Sequence, residues 1–261
     1  MKNRKTITFI IIVTVVAFQF FKASVWKRDN NVLVSRVIDG DTIELSSGHR
    51  VRYIGIDTPE LREKEPGGGW GYKPRPYAEE AREFNKGLVE GKYVKLESDV
   101  QKRDKYNRLL AYVYNGDMMV NLEMVRQGYA VIYTYPPNVK YSKNFLEAQK
   151  EARKNKKGLW SDLEENVITP YEAGDNTGLI RIVEAEVTDT YLSEKVLILN
   201  CRAKFKVVIF RNNFSLFPKE AIRSPDSYFK NKTIRVCGII KKYKGSNEVI
   251  VNDFSQIEVL I

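Results

Sequence analysis

Residues 38–60 read IDGDTIELSSGHRVRYIGIDTPE, and no other stretch constrains the chain as much. Apolar alternation over residues 43–45 and 51–56, separated by Ser46-Ser47-Gly48, predicts a β-hairpin. A turn near Ser47-Gly48 sets Asp41 opposite about Ile54. Asp57 then leaves the second strand at the end where Asp41 begins the first. Carboxylates held together repel one another unless a proton or a cation lies between them. The natural occupant is a hard divalent cation with oxygen ligands. Arg52 falls on the same alternating face as Ile54 and Ile56. An arginine breaking an apolar face marks function, and its planar fork suits an anion beside the metal.

The remaining composition narrows the chemistry. Among 261 residues there is one histidine, His49, and two cysteines, Cys201 and Cys237. That set cannot build a zinc site of the usual His/Cys kind. There is no G-x-S-x-G nucleophile elbow and no Walker-A loop. Catalysis here has to run on carboxylates, arginines and tyrosines, and His49 reads as a solvated turn residue. The formal charge of +10 suits a polyanionic partner, either nucleic acid or an anionic membrane surface.

Lys2, Arg4 and Lys5 precede an apolar run over residues 6–21. As a helix this run spans about 24 Å at 1.5 Å per residue, against a bilayer core of about 30 Å. Residues 1–26 therefore read as a hydrophobic helix that is either a cleaved export signal or a membrane anchor, with the body outside the cell membrane.

Strands are expected over residues 32–38, 93–98 and 109–114, with Asn107 in a left-handed turn position. Residues 61–76, with three consecutive glycines, Trp70 and three prolines, read as a long exposed loop. Helices are expected over 77–90, 120–128 and 141–156. Tyr77, Ala81, Phe84 and Leu88 form the core face of the first, and Gly91 caps it. Gly158-Leu159-Trp160 closes the unit. Tyr133 and Tyr135 form an aromatic rim of a kind on which bases stack.

The segments VIDGDT, RYIGIDTPE, RDKYNRLLAYVY, NLEMVRQGYA and GLW together resemble the staphylococcal nuclease (thermonuclease) family. They occur in the family's order and cover about residues 31–161. The resemblance implies a five-stranded OB-type barrel with three helices. It also implies a calcium-dependent endonuclease that hydrolyses phosphodiester bonds of DNA and RNA and leaves 3′-phosphates. Residue by residue, it assigns Asp41 and Asp57 as calcium carboxylates and Thr58 as a ligand through its backbone carbonyl. Glu60 matches the general base on the attacking water, and Arg52 and Arg108 match the phosphate-binding arginines. Lys105, Tyr106, Tyr133 and Tyr135 match the surroundings of the nucleotide.

Residues 161–177 are polar and read as a linker. Beyond them, strands are expected over 179–191, 196–201, 205–210, 233–243 and 248–259. A helical segment broken by Pro225 precedes the fourth of these, and a Gly245-Ser246-Asn247 turn separates the last two. That order resembles an OB-fold, giving a second OB-like barrel over 178–261 in a mainly β, α+β protein. Lys204, Lys206, Arg211, Lys241, Lys242 and Lys244, with Phe210 and Tyr243, would suit the backbone of a single strand. Cys201 and Cys237 are either disulfide-bonded or two buried thiols. No obligate protein partner is inferred. Two other functions fit this organisation: a non-catalytic nucleic-acid-binding protein of two OB-type barrels, and an anchored scaffold that binds a protein through its C-terminal barrel.

Overall fold

A computed structural model describes residues 31–65 and 67–260. The N-terminal hydrophobic segment expected over residues 1–26 lies outside the described residues. Among the described residues, no helix is long and apolar enough to cross a membrane.

The first half is a closed barrel of five strands. β1 (Asn31–Asp39), β2 (Thr42–Leu45) and β3 (Arg50–Tyr53) form an antiparallel meander. Next come β4 (Gly55–Asp57), a hairpin of β5 (Arg62–Glu65) and β6 (Gly69–Tyr72), and helix α1 (Ala78–Val89). β7 (Tyr93–Glu97) and β8 (Leu109–Asn115) close the ring: β8 runs parallel to β3, and β7 pairs with both β8 and β1. The short β9 (Met118–Met119), α2 (Val120–Arg126), β10 (Val131–Tyr133), α3 (Ser142–Lys154) and α4 (Leu159–Glu165) complete this half. Alternation turns Val34, Ile43, Val51, Tyr53, Ala111 and Val113 into the barrel, where α2 adds Met124 and α3 adds Phe145. Each fully buried aliphatic side chain of this kind contributes roughly 1.5–3 kcal/mol.

The second half repeats this closure. β11 (Ile180–Leu192), β12 (Val196–Cys201) and β13 (Phe205–Phe210) are again an antiparallel meander. Helices α5 (Lys219–Arg223) and α6 (Pro225–Phe229) occupy the place that α1 takes in the first barrel. β14 (Thr233–Tyr243) and β15 (Ser246–Ile250) close the ring, β15 parallel to β13 and β14 antiparallel to β11, with β16 (Ile257–Val259) on the far side of β14. Both halves thus place a parallel pair between their third and fifth strands, the OB arrangement.

Several expectations need correction. Residues 61–76 are not irregular: β5 and β6 pair from Arg62↔Tyr72 to Glu65↔Gly69. The glycines serve as the turn, with Gly68 and Gly69 at φ of 91° and 144°, so they permit pairing instead of preventing it. Among the described residues, the three expected helices of the first half are joined by a fourth, α4, because Gly158 (φ 51°) starts a helix where an end was expected. Tyr77, expected in the barrel core, instead has its hydroxyl donating to Asp162 Oδ2 at 2.9 Å; the buried positions of α1 are Ala78, Ala81, Asn85 and Val89. The turn between β14 and β15 is Lys244-Gly245, since Tyr243 pairs with Ser246. The segment read as a linker is packed: Ala173 is fully buried in the second core, and Ile168 bridges to Val183. The two cysteines are free and buried in different clusters, Cys201 inside the second barrel and Cys237 outside it.

That outer cluster joins the two halves. Val131, Ala152, Leu159, Trp160 and Leu163 pack against Ile180, Ile182 and Cys237, with Tyr77 and Ile239 at the margin. At the rim of this contact, Arg153 bonds Glu164 at 2.7 Å and reaches Glu258 at 3.5 Å.

Candidate active site

Two glycines explain why the acidic residues meet. Gly40 sits in the two-residue turn between β1 and β2. A methyl group there would lie 2.8 Å from Thr58 and 2.9 Å from Ala81, so only glycine lets the turn come this close. Gly55, at φ 85°, separates β3 from β4, and the chain then leaves the barrel to pair with β10 through Ile56↔Ile132. The alternation expected from Arg52 through Ile56 therefore stops at this kink. The register also differs by one from expectation: Thr42 pairs with Arg52, and the Asp41 carbonyl accepts the Tyr53 N–H at 2.8 Å.

The kink folds Asp57 and Thr58 back over Asp41. Asp41 Oδ2 accepts from the Thr58 N–H at 3.0 Å and from its hydroxyl at 3.2 Å, and Oδ1 accepts from the Thr42 hydroxyl at 3.1 Å. Arg52 lies between the two acids. Nη1 is 3.0 Å from Asp41 Oδ2, and Nη2 is 2.6 Å from Asp57 Oδ1. Nη1 also donates to the carbonyls of Tyr53 and Ile56 at 3.0 and 2.8 Å, which fixes the guanidinium plane.

Arg108 reaches the same cleft from just ahead of β8, the strand beside β3. The turn before β8 places Asn107 at φ 65°, as expected from its type. Arg108 Nε bonds Asp104 Oδ2 at 2.7 Å, and Nη1 lies 3.5 Å from the Thr42 hydroxyl. Its guanidinium sits 5.6 Å from the Tyr106 ring centroid, and Lys105 Nζ lies 5.0 Å from the same ring. Asp39, Asp41, Arg52, Asp57, Glu60, Lys105, Tyr106, Arg108, Tyr133 and Tyr135 all line one open cleft of about 760 Å³. Tyr133 and Tyr135 are 42% and 50% exposed, which leaves both rings accessible from the cleft. Thr58 is buried and does not line this cleft.

Burial, reinforced by Asp41, pushes the Asp39 carboxyl up to about 8. Burial also raises Asp57, to about 7, against the opposing pull of Arg52. Glu60 is raised by burial and by Asp41, and drawn back by Arg52 and Arg108. For Arg52, burial works against the charge, but Asp41 and Asp57 more than compensate and hold it firmly protonated. Asp104 is lowered: burial opposes this, and the bonds from Arg108 outweigh it.

These acids are short of positive charge, and their donors are all oxygen, which is the chemistry a hard divalent cation relieves. Asp41 and Asp57, joined through Arg52, present the kind of oxygen donors such an ion takes, though not a complete set. Among the described residues, no three His, Cys, Asp or Glu side chains form a closed metal cage. An ion held this way keeps positions for water and substrate.

Four contributors were absent from the sequence-derived set. Asp39 follows from its place two residues before Asp41, and Asp104 from its i,i+4 spacing to Arg108. Ile239 and Lys241, which enter the cleft lining from the second barrel, have no local signal. A second cavity of about 370 Å³ lies between the halves behind Glu60, lined by Arg75, Tyr77, Asp162 and Arg181 among others. It holds neither Asp41 nor Asp57, the acids of the larger cleft.

Residues 50–162 match the model of the family described as staphylococcal nuclease homologue. The chain is 41% identical over 145 residues to a thermonuclease of Staphylococcus intermedius, covering 54% of this chain and 82% of that protein. It is 41% identical over 133 residues to a thermonuclease of Staphylococcus hyicus, covering 49% of this chain and 75% of the relative. Endonuclease YncB of Bacillus subtilis (strain 168) is 42% identical over 144 residues, covering 52% and 64% respectively. A barrel with this closure, a cleft with these residues and relatives that match over most of their own length lead to one conclusion: the chain belongs to the staphylococcal nuclease family.

Proposed function

We propose that the chain is a calcium-dependent endonuclease that hydrolyses phosphodiester bonds of DNA and RNA and leaves 3′-phosphates. The observation that carries this reading is the convergence of Arg52, Glu60 and Arg108 with Asp41 and Asp57 on one cleft. Membership of a family whose relatives are named thermonucleases and endonucleases supports it.

In this reading Arg52 and Arg108 hold the non-bridging oxygens of the scissile phosphate from two sides. Their charge offsets the extra negative charge of the five-coordinate transition state, and they are already fixed by Asp57 and Asp104 before substrate arrives. Glu60 accepts a proton from the attacking water, whose oxygen bonds to phosphorus as the P–O5′ bond breaks. The leaving O5′ takes a proton from solvent water and departs as an alcohol, and Glu60 returns its proton to the resulting hydroxide, which restores the base. Glu60's raised affinity for protons suits this role, since a stronger base takes the proton more readily. Asp41, Asp57 and the Thr58 carbonyl would hold Ca²⁺, which when bound neutralises phosphate charge and supplies activated water. Lys105, Tyr106, Tyr133 and Tyr135 receive the nucleotide. Their open, aromatic rim favours unpaired bases, because stacking needs a free base face.

Residues 31–161 and 178–261 form the nuclease unit and the accessory OB-like unit of this reading. Residues 1–26 carry it to the outside of the cell membrane as a signal or anchor.

The decisive experiment incubates the protein with single-stranded DNA, duplex DNA and RNA, in Ca²⁺ and in chelator, beside Glu60→Gln and Arg108→Ala. Cleavage should require Ca²⁺ and fall about 10²–10³-fold in each variant. Binding without cleavage by the unsubstituted chain would favour the non-catalytic alternative. Cleavage that survives both substitutions would overturn the residue roles.

A further inference from the structure

β14 serves three environments in turn. Val236 and Ile240 point into the second barrel and are fully buried. Cys237 and Ile239, on the outer face, join the apolar contact with the first half. The next outer residue, Lys241, passes the edge of that contact and enters the lining of the cleft that holds Asp57, Glu60, Arg52 and Tyr133. Its charge acts on the Asp57 carboxyl, although burial and Arg52 act on that group more strongly. Lys241 is exposed and makes no ion pair among the described residues. Across the outer face of the sheet it pairs with Glu248, which in turn pairs with Lys206.

We propose that Lys241 is a substrate-binding residue supplied by the second barrel, which holds a backbone phosphate next to the one being cleaved and so favours polynucleotide over short substrates. The proposal rests on the reading of this cleft as a phosphodiesterase site. The two arginines of the first barrel already face the scissile phosphate, so a third cation, supplied to the cleft lining by the second barrel, meets the neighbouring one. Lysine suits this position because its ammonium is a point charge that neutralises a phosphate without demanding a fixed angle, as a strand sliding through a cleft requires. A strand leaving over Lys241 crosses Glu248 before it reaches Lys206 on the same outer row.

The test uses the full chain and two probes: a labelled oligothymidylate long enough to span both barrels, and a chromogenic thymidine ester with a single phosphodiester. In Lys241→Ala, the Kd for the oligonucleotide, measured by anisotropy in chelator, should rise roughly three- to tenfold. The slope of log K against log salt should become shallower by about 0.7, the loss of one single-strand phosphate contact. KM for the oligonucleotide should rise, kcat/KM on the ester should stay unchanged, and Lys241→Arg should restore the oligonucleotide values. Lys195→Ala, outside the cleft lining, should change none of these. Unchanged oligonucleotide Kd and salt slope in Lys241→Ala would overturn the proposal. So would an equal loss on both probes, which would put Lys241 at the reacting phosphate itself. If the unsubstituted chain binds the oligonucleotide but cleaves neither probe, the nuclease reading fails, while the chelator measurements still decide whether Lys241 holds a phosphate.

Discussion

Asp104 holds Arg108 by both ends of its reach: Oδ2 accepts from Nε at 2.7 Å, and Oδ1 accepts from the Arg108 backbone N–H at 2.9 Å. The guanidinium keeps Nη2 for a ligand, with Nη1 engaged only by the 3.5 Å contact to the Thr42 hydroxyl, while its base is tethered. Asp104→Asn keeps the shape and removes the charge. It should lower kcat about tenfold, well short of the 10²–10³-fold expected when Arg108 itself is lost. Initial-rate kinetics on both variants check this. An Asp104→Asn enzyme as impaired as Arg108→Ala would mean that Asp104 does more than position its neighbour.

Glu60 should impose the acid limb of the pH–rate profile. An ordinary glutamate titrates near 4.5, and burial with Asp41 lifts this one above that value. The base form is therefore lost sooner on acidification, and kcat/KM should begin to fall at a higher pH than an ordinary glutamate would dictate. Measuring the profile at saturating Ca²⁺ tests this. Glu60→Gln should flatten that limb as well as lower its plateau.

Asp39 makes the cation-free protein sensitive to alkali. Its folded value of about 8 lies above the ordinary 3.8, so the folded state binds the proton more tightly than the unfolded state. The associated stability is fully present below 3.8 and is lost as the pH rises through about 8. Melting temperature in chelator should fall across that interval. Asp39→Asn should reduce the slope, and added Ca²⁺ should oppose the loss.

Cys201 and Cys237 should behave as inert thiols. Burial pushes both up to about 12, leaving almost no thiolate near neutral pH. An aromatic disulfide reagent should label neither cysteine in the folded protein and both after denaturation. Reductant should leave the melting temperature unchanged, since no disulfide joins them.

Gly55→Ala should destabilise by about 2–4 kcal/mol, because alanine meets two penalties at once. The residue sits at φ 85°, and its new methyl would stand 2.4 Å from the Phe145 ring. Urea unfolding measures the loss. Activity should fall with it, since the Gly55 kink folds Asp57 toward Asp41.

Much of this was legible in the chain because local chemistry decided it. Two strands of the second barrel, Val196–Cys201 and Phe205–Phe210, fall where β-branched and aromatic runs place them. Asn107 takes the left-handed conformation its short amide tolerates. Arg52 reaches Asp41 because the hairpin pairs Thr42 with Arg52, whereas Asp57 joins them only through the Gly55 kink. Errors arose where glycine had two readings. Gly67-Gly68-Gly69 turns a hairpin instead of dissolving one, and Gly158 begins a helix instead of ending a domain. The one-residue slip of Asp41 traces to the β2–β3 turn, which centres on Ser47 instead of between Ser47 and Gly48: Leu45 N–H donates to the His49 carbonyl, and Thr42 pairs with Arg52. Lys241 was read as one of several surface cations, because its place in the cleft depends on how the two barrels pack.

That packing makes the reading frame of one strand a shared property of both barrels. Inserting a single residue in β14 between Cys237 and Lys241 would bring Lys241 to the barrel interior and turn Ile240 out toward the cleft. The second barrel would lose a well-packed isoleucine, and the cleft would lose the cation that the second barrel contributes to it. The accessory barrel is thus not an independently exchangeable module: a replacement must match the nuclease unit's outer surface residue for residue along β14, as well as fold.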